Sequence, residues 1–377
     1  MNSSKRLLYV VNNPAFFVSH RLGVALAARD AGYDVHVATP DGDAVTQITQ
    51  AGLTFHPLDF DRGGQNPLAE LLTIISFFRL FRMVRPDLVH LVTIKPVIYG
   101  GIAARLARVP ALVGAISGLG FIFIAKGLVA RLRRALIVRL YRLACHHPNM
   151  VLIFQNEDDH KLFSQFRIMR EADVTLIPGS GVDMTLFTPQ AEPDGPPVIS
   201  VATRLLGDKG VREFVDAARI VKQRHPAVRF ILAGTPDPSN PETITEDELA
   251  TWRAETVVDL PGFVTDVATL YGQSHIVVLP SYREGMPKGL LEAAACGRAI
   301  VTTDVPGCRV TVDHDKTGLL VPVRTVEPLA AAMLRLIEEP ETRRAMGVAG
   351  RARAERLFSL AHVITRHKEI YGALLNQ

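Results

Sequence analysis

One property constrains the fold of this chain more than any other: short apolar runs alternate with stretches of helical period throughout, and the alternation breaks only once. The first series contains LLYVV, YDVHVA, LTFHPL, DLVHLV, PALVGAI, MVLIFQ and VTLIPG, with helical patterns between them. The second contains PVISVA, VRFILAG, VVDLPG, HIVVLP, RAIVTT and GLLVPV, and ends in helices through about Leu357. Between the two, residues 187–197 (FTPQAEPDGPP) carry four prolines and a glycine without any period, which marks a linker. Apolar strands separated by helices argue for parallel sheets covered on both faces. At 377 residues the chain also exceeds what one core usually supports. The expectation is therefore α/β, with two Rossmann-like doubly wound domains facing a central cleft. A first domain over 1–186 and a second over 197–358 are expected, with a last helix over 359–377 that packs back on the first. Ligands of such sheets sit at the carboxyl ends of the strands, so one cleft can hold two substrates.

Composition narrows the class. Hydrophobic residues make up 48% and charged residues 21%, with mean hydropathy +0.18, values that exclude disorder. Cys145, Cys296 and Cys308 are too few and too scattered for a disulfide framework or a zinc knuckle, so reduced thiols in a cytosolic chain are expected. The amino-terminal apolar run is about six residues long and ends at Asn12, Asn13 and Pro14, which reads as a buried strand rather than a signal peptide. Arg and Lys interrupt every long apolar run, so no membrane span is expected.

The net charge of +4 says little, but its distribution says more. Residues 121–147 mix aliphatics with Lys126, Arg131, Arg133, Arg134, Arg139 and Arg142, and residues 71–85 repeat the mixture with Phe77, Phe78 and Phe81. Basic amphipathic helices of this kind suit an anionic lipid surface, here the inner face of a cytoplasmic membrane. Nucleic acid is not expected, because no aromatic-basic binding motif accompanies the charge.

The chemistry concentrates in residues 280–292 (PSYREGMPKGLLE). A strand, HIVVLP, enters a polar turn, and a helix is expected to open at Met286 or Pro287, just after Gly285. Glu284 falls in the turn, and Glu292 lies in an otherwise apolar helix. A helix amino terminus suits phosphate, and two carboxylates suit hydroxyl groups. A buried carboxylate at Glu292 would need a partner, and ribose hydroxyls would serve. Upstream, Arg204 and Lys209 (RLLGDKG) follow strand PVISVA and precede a helix, a place suited to a diphosphate.

The run VLPSYREGMPKGLLEAAACGRAIVTTDVPGCR, with RLLGDKG before it and PGFVTDV at 261–267, resembles retaining glycosyltransferases of GT-B fold, family 4. Within that group it is most similar to capsule and O-antigen type enzymes acting on undecaprenyl-diphosphate sugars. The resemblance covers essentially the whole chain and is weaker in the first domain, where NNPAFFVSHR, VHLVTIKP and SGLG carry it. It implies that Glu284 lies near the donor sugar and that Glu292 meets the ribose hydroxyls. Arg204 and Lys209 would hold the donor diphosphate; Gly285, Met286 and Pro287 would form the turn facing phosphates and sugar. Phe263 and Val264 would lie beside the base, and Gly181, Val182 and Asp183 would end the first domain. The first domain departs from the pattern: Asn12, Asn13 and Pro14 stand where relatives carry a glycine-rich turn, and Val92 stands where many carry a histidine. His90 is a catalytic candidate, and His20, Lys95, Gly118 and Gly120 are acceptor-side candidates.

The resulting expectation is a hexosyltransferase moving a sugar from a nucleotide sugar, UDP-linked by family precedent, to a lipid-linked saccharide in surface polysaccharide synthesis. Front-face displacement is expected, with Arg204, Lys209 and the helix terminus stabilising the leaving group and no metal required. Asp41 with Asp43, and Asp313 with Asp315, mimic a metal-binding D-x-D, each in a turn-like setting. The main alternative is a nucleotide-sugar epimerase of the same architecture. A dinucleotide oxidoreductase would want G-x-G-x-x-G after the first strand, which is missing, and a silent scaffold would lack the cations or carboxylates.

Overall fold

The structure, a computed structural model, describes residues 4–58, 60, 67–119, 123, 127–170 and 173–376. These divide into two compact units, Met1–Ser180 with Leu360–Gln377, and Gly181–Ser359.

The first unit carries a parallel sheet of β1 (Arg6–Val11), β2 (Asp34–Thr39), β3 (Thr54–Pro57), β4 (Leu88–Val92), β5 (Ala111–Ile116), β6 (Met150–Phe154) and β7 (Val174–Leu176), in the order β3-β2-β1-β4-β5-β6-β7. Its helices are α1 (Pro14–His20), α2 (Leu22–Asp30), α3 (Val45–Gln50), α4 (Pro67–Val84), α5 (Gly101–Ala107), α6 (Leu128–Cys145) and α7 (Glu157–Ser164). A π-helical turn, Pro96–Gly100, leads into α5. Strands β4 and β5 are buried at every position, because helices cover both faces of the sheet. Asn13 and Pro14, where a glycine-rich turn would otherwise stand, begin α1: Asn13 Oδ1 accepts from the Phe16 N–H at 2.8 Å, and proline occupies the first turn, where its missing N–H is harmless.

The second unit repeats the plan with β8 (Val198–Ala202), β9 (Arg229–Ala233), β10 (Asp259–Gly262), β11 (Ile276–Leu279), β12 (Ala299–Thr303) and β13 (Gly318–Val321), ordered β10-β9-β8-β11-β12-β13. Its helices are α8 (Val211–Arg224), α9 (Glu246–Glu255), α10 (Val267–Gly272), α11 (Lys288–Ala295), α12 (Cys308–Thr311), α13 (Val326–Glu338) and α14 (Pro340–Leu357). Helix α15 (Leu360–Leu375) returns to the first unit, where Val363, Ile370, Tyr371 and Leu374 join its core.

The division falls at residues 180 and 181, ahead of the expected end of the first domain at 186. Val182 is buried in the second core, and its N–H donates to Phe358 O at 2.9 Å, so 181–183 begin the second unit instead of ending the first. Nor is 187–197 a free tether: Phe187 is buried, and Arg343 grips Glu192 through two hydrogen bonds of 2.8 Å. Cys145, Cys296 and Cys308 are free and buried. Among the described residues no helix is long and apolar enough to cross a membrane.

Candidate functional site

In both sheets the strand order reverses at one place, between β1 and β4 and between β8 and β11, and such a switch point opens a crevice at the carboxyl ends of the strands. In the second unit this crevice gathers the residues of the two cationic and carboxylate motifs. Arg204 follows β8, and Lys209 closes the short 3-10 turn Gly207–Lys209. Gly210 has φ +69°, and a Cβ there would strike the carbonyl oxygen of Pro280, so only glycine lets the loop carrying Lys209 approach the end of β11. The turn at 281–287 follows β11, and α11 opens at Lys288, one or two residues beyond the expected Met286 or Pro287, with Pro287 as its N-cap.

The side chains form a compact charged array. Lys209 Nζ lies 2.6 Å from Glu284 Oε1, the two being only 13% and 16% exposed, and Ser281 Oγ donates to the same oxygen at 2.7 Å. Arg204 Nη1 pairs with Asp237 at 3.1 Å. A hydrogen bond from Ser239 and the charge of Arg204 hold the Asp237 carboxyl below its usual range. Glu292 is 8% exposed on α11, and Lys288, one helical turn earlier, pairs with it at 3.2 Å. Burial pushes the Glu292 carboxyl up, while Lys288 pulls it the other way. Glu292 thus has a partner without any ligand.

Two concavities that share Ala202, Thr203 and Arg204 adjoin in this crevice. Its charged end, of about 220 Å³, is lined by Arg204, Lys209, Glu284, Pro287 and Lys288 over a floor of Tyr271 and Leu279. Its apolar end, of about 270 Å³, is lined by Gly234, Thr235, Val264, Val267 and Phe263, a residue 73% exposed. An exposed aromatic ring at one end and three cations at the other suit an elongated ligand with a flat apolar head and an anionic middle.

Two family models match the chain: "Glycosyl transferase 4-like" over residues 6–156 and "Glycosyl transferases group 1" over residues 184–353, which together span most of its length. The chain belongs to these glycosyltransferases. This glycosyltransferase is 26% identical over 351 residues to N,N'-diacetylbacillosaminyl-diphospho-undecaprenol alpha-1,3-N-acetylgalactosaminyltransferase of Campylobacter jejuni, covering 90% of this chain and 91% of that one. It is 23% identical to UDP-Gal:alpha-D-GlcNAc-diphosphoundecaprenol alpha-1,3-galactosyltransferase of Escherichia coli, over 72% of each chain. Among solved structures, HepE of Anabaena in complex with UDP matches with a TM-score of 0.80 at 20% identity, over 98% of this chain and all of that one. The fold is GT-B, and the epimerase alternative draws no support from these matches.

In the first unit of the glycosyltransferase the candidates fare differently. His90 is a correction: it is 0% exposed, its Nδ1 lies 2.6 Å from the hydroxyl of Tyr371, and its ring stacks on Tyr9 and His367. Burial, with His367 and Arg21 nearby, holds its pKa well below the ordinary value, so it is a neutral core residue that touches no solvent. Lys95, just past β4, pairs with Glu70 of α4 at 2.8 Å. Gly118 follows β5 with φ +132°. His20 closes α1, stacked on Phe16 with its Nδ1 2.6 Å from Ser19 Oγ. Gly120 and Lys126 lie outside the described residues.

The D-x-D look-alikes at 313 and 315 are engaged elsewhere, Asp313 by Arg353 at 2.9 Å and Asp315 by Arg335 at 2.6 Å. Sequence reasoning passed over Lys288, Ser281 and Asp237. Short spacings were the available signals, a lysine four residues before a buried glutamate and a serine three residues before Glu284; Asp237 meets Arg204 only through the fold, 33 residues away.

Proposed function

We propose that this glycosyltransferase moves a hexose, with retention of configuration, from a UDP-linked donor to a saccharide carried on undecaprenyl diphosphate, in the assembly of a surface polysaccharide. The observation that carries this reading is the pair of adjoining concavities at the β8/β11 switch point, one cationic at Arg204 and Lys209 and the other apolar at Phe263. In it the uracil lies beside Phe263 and Val264, Glu292 accepts from the ribose hydroxyls, and the diphosphate meets Arg204, Lys209 and the opening of α11. Glu284 and the 285–287 turn face the sugar. UDP in the HepE structure and the UDP-galactose of the Escherichia coli relative support the base; the undecaprenol-linked substrates named for both relatives support the acceptor.

Transfer then proceeds on one face of the sugar. The acceptor oxygen bonds to the anomeric carbon as the bond to the diphosphate breaks, and the hydroxyl proton leaves with the departing phosphate. Arg204, Lys209 and the helix terminus supply the positive charge this step needs, so the reading asks for no metal.

The acceptor side rests on the first unit, where Lys95 and Gly118 follow neighbouring strands. Its surface supports docking on the cytoplasmic face of an anionic membrane. On α6, Leu128, Leu132, Leu136 and Leu143 are exposed at helical spacing, interleaved with exposed Arg131, Arg133, Arg139 and Arg142. Leu68, Leu71 and Leu72 are exposed on α4, whereas Phe77 and Phe81 turn into the core and are not part of that face. Arg134 is drawn inward, donating to Phe123 O at 2.9 Å.

A panel of nucleotide sugars incubated with undecaprenyl-diphosphate sugar acceptors, read by mass and by anomeric configuration, tests the reading. An added hexose in retained configuration supports it. Interconversion of the nucleotide sugar without acceptor, or an inverted product, overturns it.

A further inference from the structure

Lys288 stands in a place that local helix physics disfavours. It is the first residue of α11, where the aligned peptide dipoles repel a cation, and its N-cap, Pro287, supplies no side-chain bond to the helix. Its side chain is 31% exposed, and Lys288 together with Pro287 and Gly289 lines the charged end of the cleft, so that end contains three cations and not two. Each is held by a carboxylate: Arg204 by Asp237, Lys209 by Glu284 and Lys288 by Glu292. The pairing at Lys288 occupies the one carboxylate that the donor-site reading assigns to ribose. A lysine stem is long and flexible enough to swing from Glu292 into the cleft beside it, and its ammonium binds phosphate as a point charge.

We propose that Lys288 is a third ligand of the donor diphosphate, paired with Glu292 in the nucleotide-free protein and exchanged onto phosphate when nucleotide binds. The exchange has two effects. It places a further positive charge on the dianionic diphosphate, and it frees Glu292 for the ribose, so phosphate and ribose recognition are coupled through one side chain. This inference rests on the donor-site reading above.

The test is calorimetric binding of UDP, GDP, uridine and guanosine to the unchanged protein and to the variants Lys288→Met, Lys288→Arg and Lys209→Met. Lys288→Met is expected to raise the Kd of the preferred nucleoside diphosphate about tenfold or more, to leave its nucleoside unchanged or bound slightly tighter, and to be rescued in large part by Lys288→Arg. Unchanged diphosphate binding overturns the proposal. So does equal weakening of diphosphate and nucleoside, which would mean that Lys288 only positions Glu292. If Lys209→Met weakens the diphosphate while Lys288→Met does not, the Lys288 inference alone fails. If neither variant weakens it, the donor-site reading fails with it. A thermal midpoint for Lys288→Met close to that of the unchanged protein keeps folding out of the comparison.

Discussion

The pair Lys209–Glu284 invites a test that separates stability from chemistry. Lys209→Met keeps most of the aliphatic stem and removes the charge. It leaves Glu284, 16% exposed, with the Ser281 hydrogen bond but without its counter-ion. Breaking a fully buried ion pair from one side costs about 3–5 kcal/mol, and an exposed pair is worth about 0–1. At this slight exposure, with one hydrogen bond retained, a loss of about 2 kcal/mol is expected for the second unit. For a unit of this size that lowers the thermal midpoint by roughly 4–8 °C. Adding Glu284→Gln removes the stranded charge and should recover most of that loss, because an amide is far less costly to leave half-buried than a carboxylate. Turnover should behave otherwise. Loss of a leaving-group contact worth about 3 kcal/mol cuts transfer by a factor of about 10² to 10³, and the second substitution should restore none of it. Calorimetric unfolding of the four proteins of the cycle, with transfer rates at saturating donor, supplies both readouts. Turnover of Lys209→Met within tenfold of the parent would refute the diphosphate assignment, and a double variant no more stable than the single would refute the coupling.

Three further outcomes are expected. Gly210→Ala should destabilise the second unit by about 2 kcal/mol or more, since it adds both a left-handed strain and a clash with the Pro280 carbonyl; an unchanged urea midpoint would contradict this. In the first unit, burial next to Arg21 pushes the pKa of His367 down to about 3 from its ordinary 6.5, and His90 is lowered too. Because the unfolded chain then binds more protons, this stabilisation is whole above about pH 6.5 and is lost as pH falls, by at most about 1.4 kcal/mol per pH unit for each histidine. Urea unfolding at pH 7 and pH 5 should show the loss, and His367→Gln should flatten it. Finally, Arg131→Glu with Leu132→Glu and Arg133→Glu should release the protein from vesicles containing anionic lipid. Undiminished cosedimentation would remove the α6 face from the membrane reading.

Both doubly wound sheets were legible in the chain because parallel strands covered on two faces must be apolar throughout, and LVHLV and ALVGAI announce this without context. The charged segment 280–292 was legible for a related reason: its residues are close in sequence, and α11 converts a spacing of four into the contact between Lys288 and Glu292. His90 misled because a histidine in an apolar strand reads the same whether a ligand or a tyrosine answers it. The tyrosine here, Tyr371, lies 281 residues further along the chain. The basic helices were legible as amphipathic, but periodicity alone does not say which face turns inward, and Phe77 and Phe81 of the aromatic-bearing stretch fill the core.

The amino-acid sequence by itself determined the architecture of two doubly wound sheets and supplied the charges and carboxylates of the crevice, because these follow from local period and short spacing. The tertiary structure alone decided which charges meet. Lys209 reaches Glu284 across 75 residues, and Arg204 reaches Asp237 across 33, because parallel topology brings the ends of β8, β9 and β11 side by side. It also decided that each of the cations lining the crevice, Arg204, Lys209 and Lys288, has a carboxylate partner. That follows from the cost of leaving a half-buried charge alone, and no one-dimensional pattern records it.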